Sequence, residues 1–498
     1  MDKRQIRRGS RRRKAGSRRR SIVVGFFRLS PDTLGAKKLP VRATDYFEAL
    51  HQSLSEQYQP CDCPACQAQR ERLNLADGKA SKMKFKQVLN YAEKAFKALY
   101  EKQGYRPEDL AQITEYKGLI NQTAELLSQQ IPHETPAEMR QYLEQDVFVF
   151  SGLKTHAQLT EARSYLKDEK GNLRAYHDFE QKVLKLNEKY NRHYLEAEYE
   201  FAAHSAMSAS QWANLQSDTE RYWLEYRTAG DERVRASHDA LRGVCLPKTD
   251  PFWDSFYPPN GWRCRCVAIE VLAREKTPSD SQKAQEIGEK ATTQIGKNGK
   301  NKLAMFRFNP GKEKKIFPPS NSYKPKFCSN GKTTLSLNTN TLFLSLEDER
   351  CRAEQIINQE AERLKKERRK LKDKELKEWT KQHIPEDTGL IIKGKQFKNG
   401  ELIINRKGAK GIYSHFTETH LKDLVKDIVQ IANKGQFKLE APINRDAHNY
   451  DSKKRAGFEA FRYYSSQHKG YNLRVNTAII GGVEKIYSLS VILKEKSP

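Results

Sequence analysis

From Met83 to Gln103, Phe85, Val88, Leu89, Ala92, Ala95, Phe96 and Leu99 recur at intervals of three and four, which predicts an amphipathic helix closed by Gly104. A second stripe, Leu110, Ile113, Tyr116, Leu119, Ile120, Leu126 and Leu127, predicts a helix from Pro107 to Ile131. Pro132 and Pro136 interrupt the pattern before a shorter helix to about Gln145. A helical tract rich in Tyr, Leu and Ala extends from about Tyr176 to Tyr226. From Glu275 to Thr341 the composition turns to Lys, Asn, Ser, Thr, Gly and Pro. Pro310, Pro318, Pro319 and Pro325 there exclude long regular elements, which predicts a linker. Leu346 to Trp379 reads as a charged helix with a thin seam of Ile357, Ala361, Leu364, Leu371, Leu376 and Trp379. Such a seam fits a solvated spacer, with weak coiled-coil pairing as the alternative.

Beyond His383 the period shortens to two. Strands are expected at Gly389–Ile392, Glu401–Asn405, Gly457–Tyr464, Gly470–Asn476 and Lys485–Leu493, with a helix through Leu421–Ala432. Tyr471, Leu473 and Val475 alternate with Asn472, Arg474 and Asn476, a half-buried sheet face. A helix on an antiparallel sheet follows. The expected fold class is multidomain α+β: a mostly helical N-terminal half ending in an irregular Cys/aromatic knot, a flexible linker, a charged helix and the C-terminal sheet domain. The boundaries are 1–40 for a basic arm, 41–146 helical, 147–271 ending in the knot, 272–345 linker, 346–382 charged helix and 383–498 α+β.

The knot is the most informative stretch. His238 is followed by Gly243, the turn Asp250-Pro251 with Trp253, the turn Pro258-Pro259-Asn260-Gly261, and Cys264-Arg-Cys266. Gly243 suits a left-handed helix stop, and both proline turns force the chain to reverse. Such a loop-rich segment keeps its shape only if Phe252, Trp253, Phe256, Tyr257 and Trp262 pack together, since turns alone do not offset the entropy of ordering them. His238, Cys245, Cys264 and Cys266 form a permissible tetrahedral set for structural zinc, although Cys-x-Cys is tighter than the usual knuckle. The alternative makes them packing residues. Cys61, Cys63 and Cys66 form a separate trio with only His51 as a distant fourth ligand, and free surface thiols explain them equally well.

That order of elements resembles the phage Mu F-protein family, the minor head or head-morphogenesis proteins of tailed phages. The resemblance runs from about Phe148 to Glu270. It implies a phage or prophage minor head protein, present in few copies, that works at the portal during capsid assembly or DNA packaging. The implied partners are portal and capsid proteins. The implied location is the virion head, reached from the host bacterial cytoplasm.

Charge and cysteine usage narrow the picture. The 498 residues carry 90 Lys and Arg against 63 Asp and Glu, a formal net charge of +27, which favours a polyanionic partner such as DNA or RNA through counterion release. Much of that charge lies in Arg11-Arg-Arg-Lys14 and Arg18-Arg-Arg20, a tail expected to be disordered alone. No apolar run reaches the roughly eighteen residues of a membrane span. The eight cysteines do not read as a disulfide framework, which fits synthesis in a reducing cytoplasm. Gly331-Lys-Thr333 lacks the leading glycine of a phosphate-binding loop and is rejected.

The C-terminal element order, with the segment Ser414-His415-Phe-Thr-Glu-Thr-His420, resembles the phage-associated nucleases of the barnase, EndoU, colicin-ribonuclease and RelE superfamily. The resemblance implies metal-independent RNA cleavage, which needs an acid, a base and cations for the phosphorane. His415, His420 and His448 are the acid–base candidates. Lys453, Lys454, Arg455 and Arg462 are the cations, and Tyr463 or Tyr464 would stack a base. Two alternatives stay open: a domain that only binds nucleic acid or protein, and a delivered effector whose C-terminal domain is the toxin.

Overall fold

The computed structural model describes residues 79–230, 234–296, 299–325, 328, 341–443 and 457–492. The basic arm, the Cys61–Cys66 trio with His51, and His448, Lys453, Lys454 and Arg455 lie outside the described residues.

Helix α1 (Lys79–Lys102) follows the first apolar stripe, and Phe85, Val88, Ala92, Phe96 and Leu99 are buried. The second stripe divides into a 3-10 turn, Pro107–Ala111, and α2 (Thr114–Ser128). Asp109 explains the break, since its carboxylate accepts the Arg106 N–H at 2.8 Å and so caps the turn. Helix α3 (Ala137–Ser164) runs straight through the expected boundary at residues 146 and 147, because Val147, Phe150 and Leu153 recur on one buried face. Helix α4 (Tyr176–Glu188) continues through a π-helical turn, Lys189–Tyr194, into α5 (Leu195–Ala213). The expected helical tract therefore stops short of Tyr226, and Tyr222–Arg227 forms strand β1.

Strand β1 is the centre of a three-stranded antiparallel sheet, with β2 (Cys245–Pro247) and β3 (Val267–Leu272) on its two sides. Leu224 and Tyr226 of β1 pack with Leu241, Leu246, Phe252, Trp253, Phe256 and Tyr257, so the predicted aromatic cluster forms a small core.

The stretch expected as a linker is largely packed. It contains α6 (Ser281–Ala291), and Phe306, Phe308, Ile316 and Phe317 are buried in the core shared with α1 to α5. Phe317 stacks on Phe150 with ring centroids 3.5 Å apart, and Asp146 accepts the backbone N–H groups of Ile316 and Phe317, each at 2.9 Å. Four apolar anchors in a polar background were enough to order it.

The charged helix α7 (Thr341–His383) differs from a solvated spacer in the same way. Ala353 and Ile357 enter the core of the N-terminal half, while Leu376 enters that of the C-terminal domain. Gly152 makes the first contact possible, since a Cβ there would stand 2.8 Å from Ile357. Arg163 and Glu349 form a bidentate pair at 2.9 and 2.8 Å across the same seam. Leu371, expected on the seam, is exposed. Cys351 of α7 forms a disulfide with Cys328, a pairing that no spacing pattern announced.

The C-terminal domain is a six-stranded sheet in the order β4-β5-β9-β8-β7-β6. Its strands are β4 (Leu390–Lys393), β5 (Glu401–Ile404), β6 (Gln436–Pro442), β7 (Phe458–His468), β8 (Tyr471–Ile480) and β9 (Val483–Val491). Helix α8 (Arg406–His415), unforeseen in sequence, begins at the Asn405 side chain, which accepts the Gly408 N–H. The expected helix through Leu421–Ala432 breaks into a turn, Thr419–Lys422, a 3-10 stretch, Asp423–Asp427, and α9 (Ile428–Asn433). The pairings are antiparallel except β5 with β9, which is parallel. The molecule is therefore multidomain α+β. Among the described residues no helix is long and apolar enough to cross a membrane.

Candidate functional site

The knot is held by local chemistry at nearly every motif position. Gly243 has φ +81°, the left-handed stop its sequence position required. The Asp250 carboxylate accepts the Phe252 N–H at 2.8 Å and the Ser281 hydroxyl at 3.0 Å, so it starts the Asp250-Pro251 turn and ties it to α6. Trp253 is fully buried. Asn260, also fully buried after the cis Pro258-Pro259 bond, accepts the Tyr226 hydroxyl at 2.8 Å.

From Gly261 the chain turns back toward β3. Arg263 sits at φ +58°, a conformation costly for a side chain with a Cβ. It is held there by Glu200 of α5, whose carboxylate lies 3.0 Å from its Nε. Trp262 packs on Phe201 of α5 and on Phe306, each with ring centroids 5.2 Å away.

This loop brings Cys264 and Cys266 beneath His238. His238 Nδ1 lies 3.5 Å from Cys264 Sγ and 3.8 Å from Cys266 Sγ, and all three side chains are buried. The ligand atoms of the three residues lie within 4.8 Å of one another. His238 Nε2 is buried without a hydrogen-bond partner. The hydrogen bond between the two sulfurs, with His238 adjacent, holds the Cys264 thiol well below the ordinary range. The same bond raises that of Cys266.

Cys245 does not join them. It stands opposite Glu225 in the β1–β2 register, and side chains of directly paired residues share one face of a sheet. Tyr226, the next residue, points to the other face, where Asn260 and Cys266 lie. Burial pushes the Cys245 thiol up to about 11, as for an inert packing residue. His204 of α5, which sequence reasoning missed, lies next to the cluster instead. It follows Glu200 and Phe201 by four and three positions, on the helix face that meets Trp262 and Arg263. Burial lowers its pKa, and the nearby Cys264 partly opposes that shift. A lone His inside a helical tract offered no signal in the sequence.

The C-terminal candidates are divided by the sheet. His415 is exposed at the end of α8. His420 lies on the helical side, its ring 6.4 Å from Tyr471, in a cleft also lined by Arg140, Lys365, Arg368 and Lys372. Tyr463 lies on the opposite face, because its neighbour Tyr464 is in the core with Leu473 and Val475. There the Arg474 guanidinium sits 5.6 Å from the Tyr463 ring, and Asn476 Nδ2 donates to Ser488 Oγ at 2.8 Å. Phe458, Phe461 and Tyr487 form an aromatic trio alongside. Arg462 and Tyr464 are committed to Glu484, a carboxylate with almost no exposed surface, at 3.1 and 2.5 Å. They are structural, not free for a ligand. The alternation of β8 puts Arg474 and Asn476 on one face, where Arg474 is exposed and Asn476 buried, but only the register places Tyr463 beside them.

Residues 170–269 match the family model described as Phage Mu protein F like protein. They form a phage Mu F-like segment. The Mu-like prophage FluMu F protein of Haemophilus influenzae is 44% identical over 72 residues, 14% of this chain and 16% of the relative. A protein of Escherichia phage Mu named "Putative capsid assembly protein F" is 36% identical over 69 residues, with the same two shares. The chain thus spans about a sixth of either relative's length. No solved structure matches. The likeness is thus confined to this segment, where the motif residues hold up the knot.

Proposed function

We propose that this chain is a phage or prophage minor head protein that acts in capsid assembly, at the portal, and resides in the virion. The observation that carries the reading is the Mu F-like segment, with one relative named for capsid assembly. The physical form agrees with a structural role. The knot is closed and aromatic-filled, and Tyr226, Asn260 and Asp250 spend their polar groups on internal hydrogen bonds. Portal and capsid proteins are the proposed partners. Mass spectrometry of purified particles tests the reading: the chain should co-purify with heads in low copy and be captured with the portal protein. Particles that assemble normally and contain none of it would refute the proposal.

A second activity is proposed for the C-terminal domain, whose hydrophobic core is separate from that of the N-terminal half. The Tyr463–Arg474 face offers a ring for stacking and an exposed guanidinium, two groups that single-stranded RNA binding uses. In this reading the domain binds RNA and cleaves it without a divalent metal. His448 with Lys453 and Arg455, from the stretch joining β6 to β7, would supply the chemistry, with His415 and His420 as the other acid–base candidates. Cleavage of RNA by the full chain in EDTA, lost in His448→Ala, supports it. RNA left intact by the full chain reduces the domain to binding, and toxicity on expression would favour a delivered effector.

A further inference from the structure

The Cys-x-Cys segment, His238 and helix α5 converge on one point. Zinc bonds of about 2.0–2.1 Å to nitrogen and about 2.3 Å to sulfur, at tetrahedral angles, put N and S roughly 3.6 Å apart. His238 Nδ1 stands 3.5 and 3.8 Å from the two sulfurs, and the three ligand atoms lie within 4.8 Å of one another, a spacing that one shared zinc ion would need. Two thiols and an imidazole crowded together in a buried site are poorly used as plain packing residues. Each carries a polar atom whose burial costs free energy unless it is satisfied.

Among the described residues the fourth corner has few claimants. Cys245 is on the other face of the sheet, and the Tyr226 hydroxyl donates to Asn260 while lying against Cys266. Helix α5 is drawn onto the loop by the Glu200–Arg263 pair and the Phe201–Trp262 contact, and the next turn of that face carries His204. We propose that His238, Cys264 and Cys266 bind a zinc ion, with His204 of α5 completing the tetrahedron. The site is structural: four protein ligands leave no open position for a reacting water. Its effect is to fasten the last long helix of the N-terminal bundle to the knot, alongside the Glu200–Arg263 pair. The inference is independent of the assembly role proposed above.

The full chain, purified under reductant and without chelator, should carry about one zinc per molecule. Replacement by cobalt should give a thiolate-to-metal charge-transfer band and the intense d–d absorption of a tetrahedral site. Cys245→Ser should leave both unchanged, while Cys266→Ser and His238→Ala should abolish stoichiometric binding. His204→Ala should keep the charge-transfer band, alter the d–d bands as water enters, and weaken binding on the order of tenfold. If the ligand variants do not fold, titrating the wild-type protein with a chromophoric chelator reads zinc release and the accompanying fall in melting temperature. Reduced full-length protein that contains no zinc and shows no cobalt charge transfer overturns the site. A His204→Ala protein with wild-type spectrum and affinity overturns the fourth ligand.

Discussion

In the three-stranded sheet of the knot, polar side chains turn inward: Tyr226 meets Asn260, and His238 meets two thiols, all within the buried interior. The six-stranded sheet does this mainly on its helical face, where Glu484 gathers Arg462, Tyr464 and Thr477, and again on the other face where buried Asn476 donates to Ser488. Its other face leaves Arg474 exposed beside Tyr463. Both sheets are comparably rich in aromatic residues, so composition does not separate them. What separates them is whether the hydrogen-bonding capacity of each polar group is used within the protein. A satisfied, buried set specifies shape, whereas an exposed set remains available to another molecule.

The largest effect expected from this contrast is at Trp253. Its ring is completely buried between Phe252 and Tyr257, and Trp253→Ala should remove about 3–5 kcal/mol from the stability of the knot. Denaturant unfolding followed by the remaining knot tryptophans measures it. A loss below about 1 kcal/mol would mean that the knot is loosely packed and that its aromatics do not form a core.

The aromatic cluster was legible in the sequence because turn residues have fixed conformational demands and large apolar groups must be covered. The helices α1 and α2 were legible for the same reason: their periodicity is carried by many residues. Failure came where a few residues decide. Phe306, Phe308, Ile316 and Phe317 order a polar stretch that reads as linker, and Gly152 admits Ile357 so that a charged helix becomes a strut. Neither leaves a periodic trace. The cluster was legible by residue type at His238, Cys264 and Cys266. The register of β1 and β2, invisible in one dimension, separates Cys245 from it, and the facing of α5 brings His204 near. In the C-terminal domain the β8 alternation foretold a two-faced sheet, while the division of His420 and Tyr463 between its faces followed only from tertiary structure.

The next effect concerns acid. His156 is almost wholly buried on α3, its Nδ1 2.7 Å from the Tyr105 hydroxyl, and burial, followed by Arg350 and Arg163, lowers its pKa to about 3. The folded state therefore keeps it neutral where the unfolded chain, with a pKa near 6.5, takes up a proton. Its contribution to stability is present above pH 6.5 and is lost as the pH falls toward 3, by about 1.4 kcal/mol per unit. His156→Gln keeps an acceptor for Tyr105 and cannot titrate. Between pH 6 and 5 its stability should fall less steeply than that of the wild type by roughly 1 kcal/mol. Equal slopes would show that His156 becomes protonated in the fold and that the N-terminal half is more open than its burial indicates.

The last effect bears on the exposed face, where little stability is at stake, and is the sharpest test of the contrast. Tyr463→Ala removes a ring from the face away from the core, and Arg474→Ala removes the guanidinium beside it. If that face stacks single-stranded RNA, each substitution should weaken binding by about 1–3 kcal/mol, or roughly five- to 160-fold in Kd. Removing Arg474 should also reduce the salt dependence of log K by about 0.7, the share of one phosphate contact on a single strand. Neither should move the melting temperature much, since neither group is needed to satisfy a buried partner. Tyr464→Phe is the opposite case. It deletes the hydroxyl that Glu484 accepts, so it should cost about 1–3 kcal/mol of domain stability while RNA affinity at low temperature stays the same. Fluorescence anisotropy with a labelled oligonucleotide and thermal unfolding separate the two behaviours. Should Tyr463→Ala destabilise the domain as much as Tyr464→Phe, with RNA affinity unchanged, both faces of the sheet would be structural. The difference between the two sheets would then be one of depth alone.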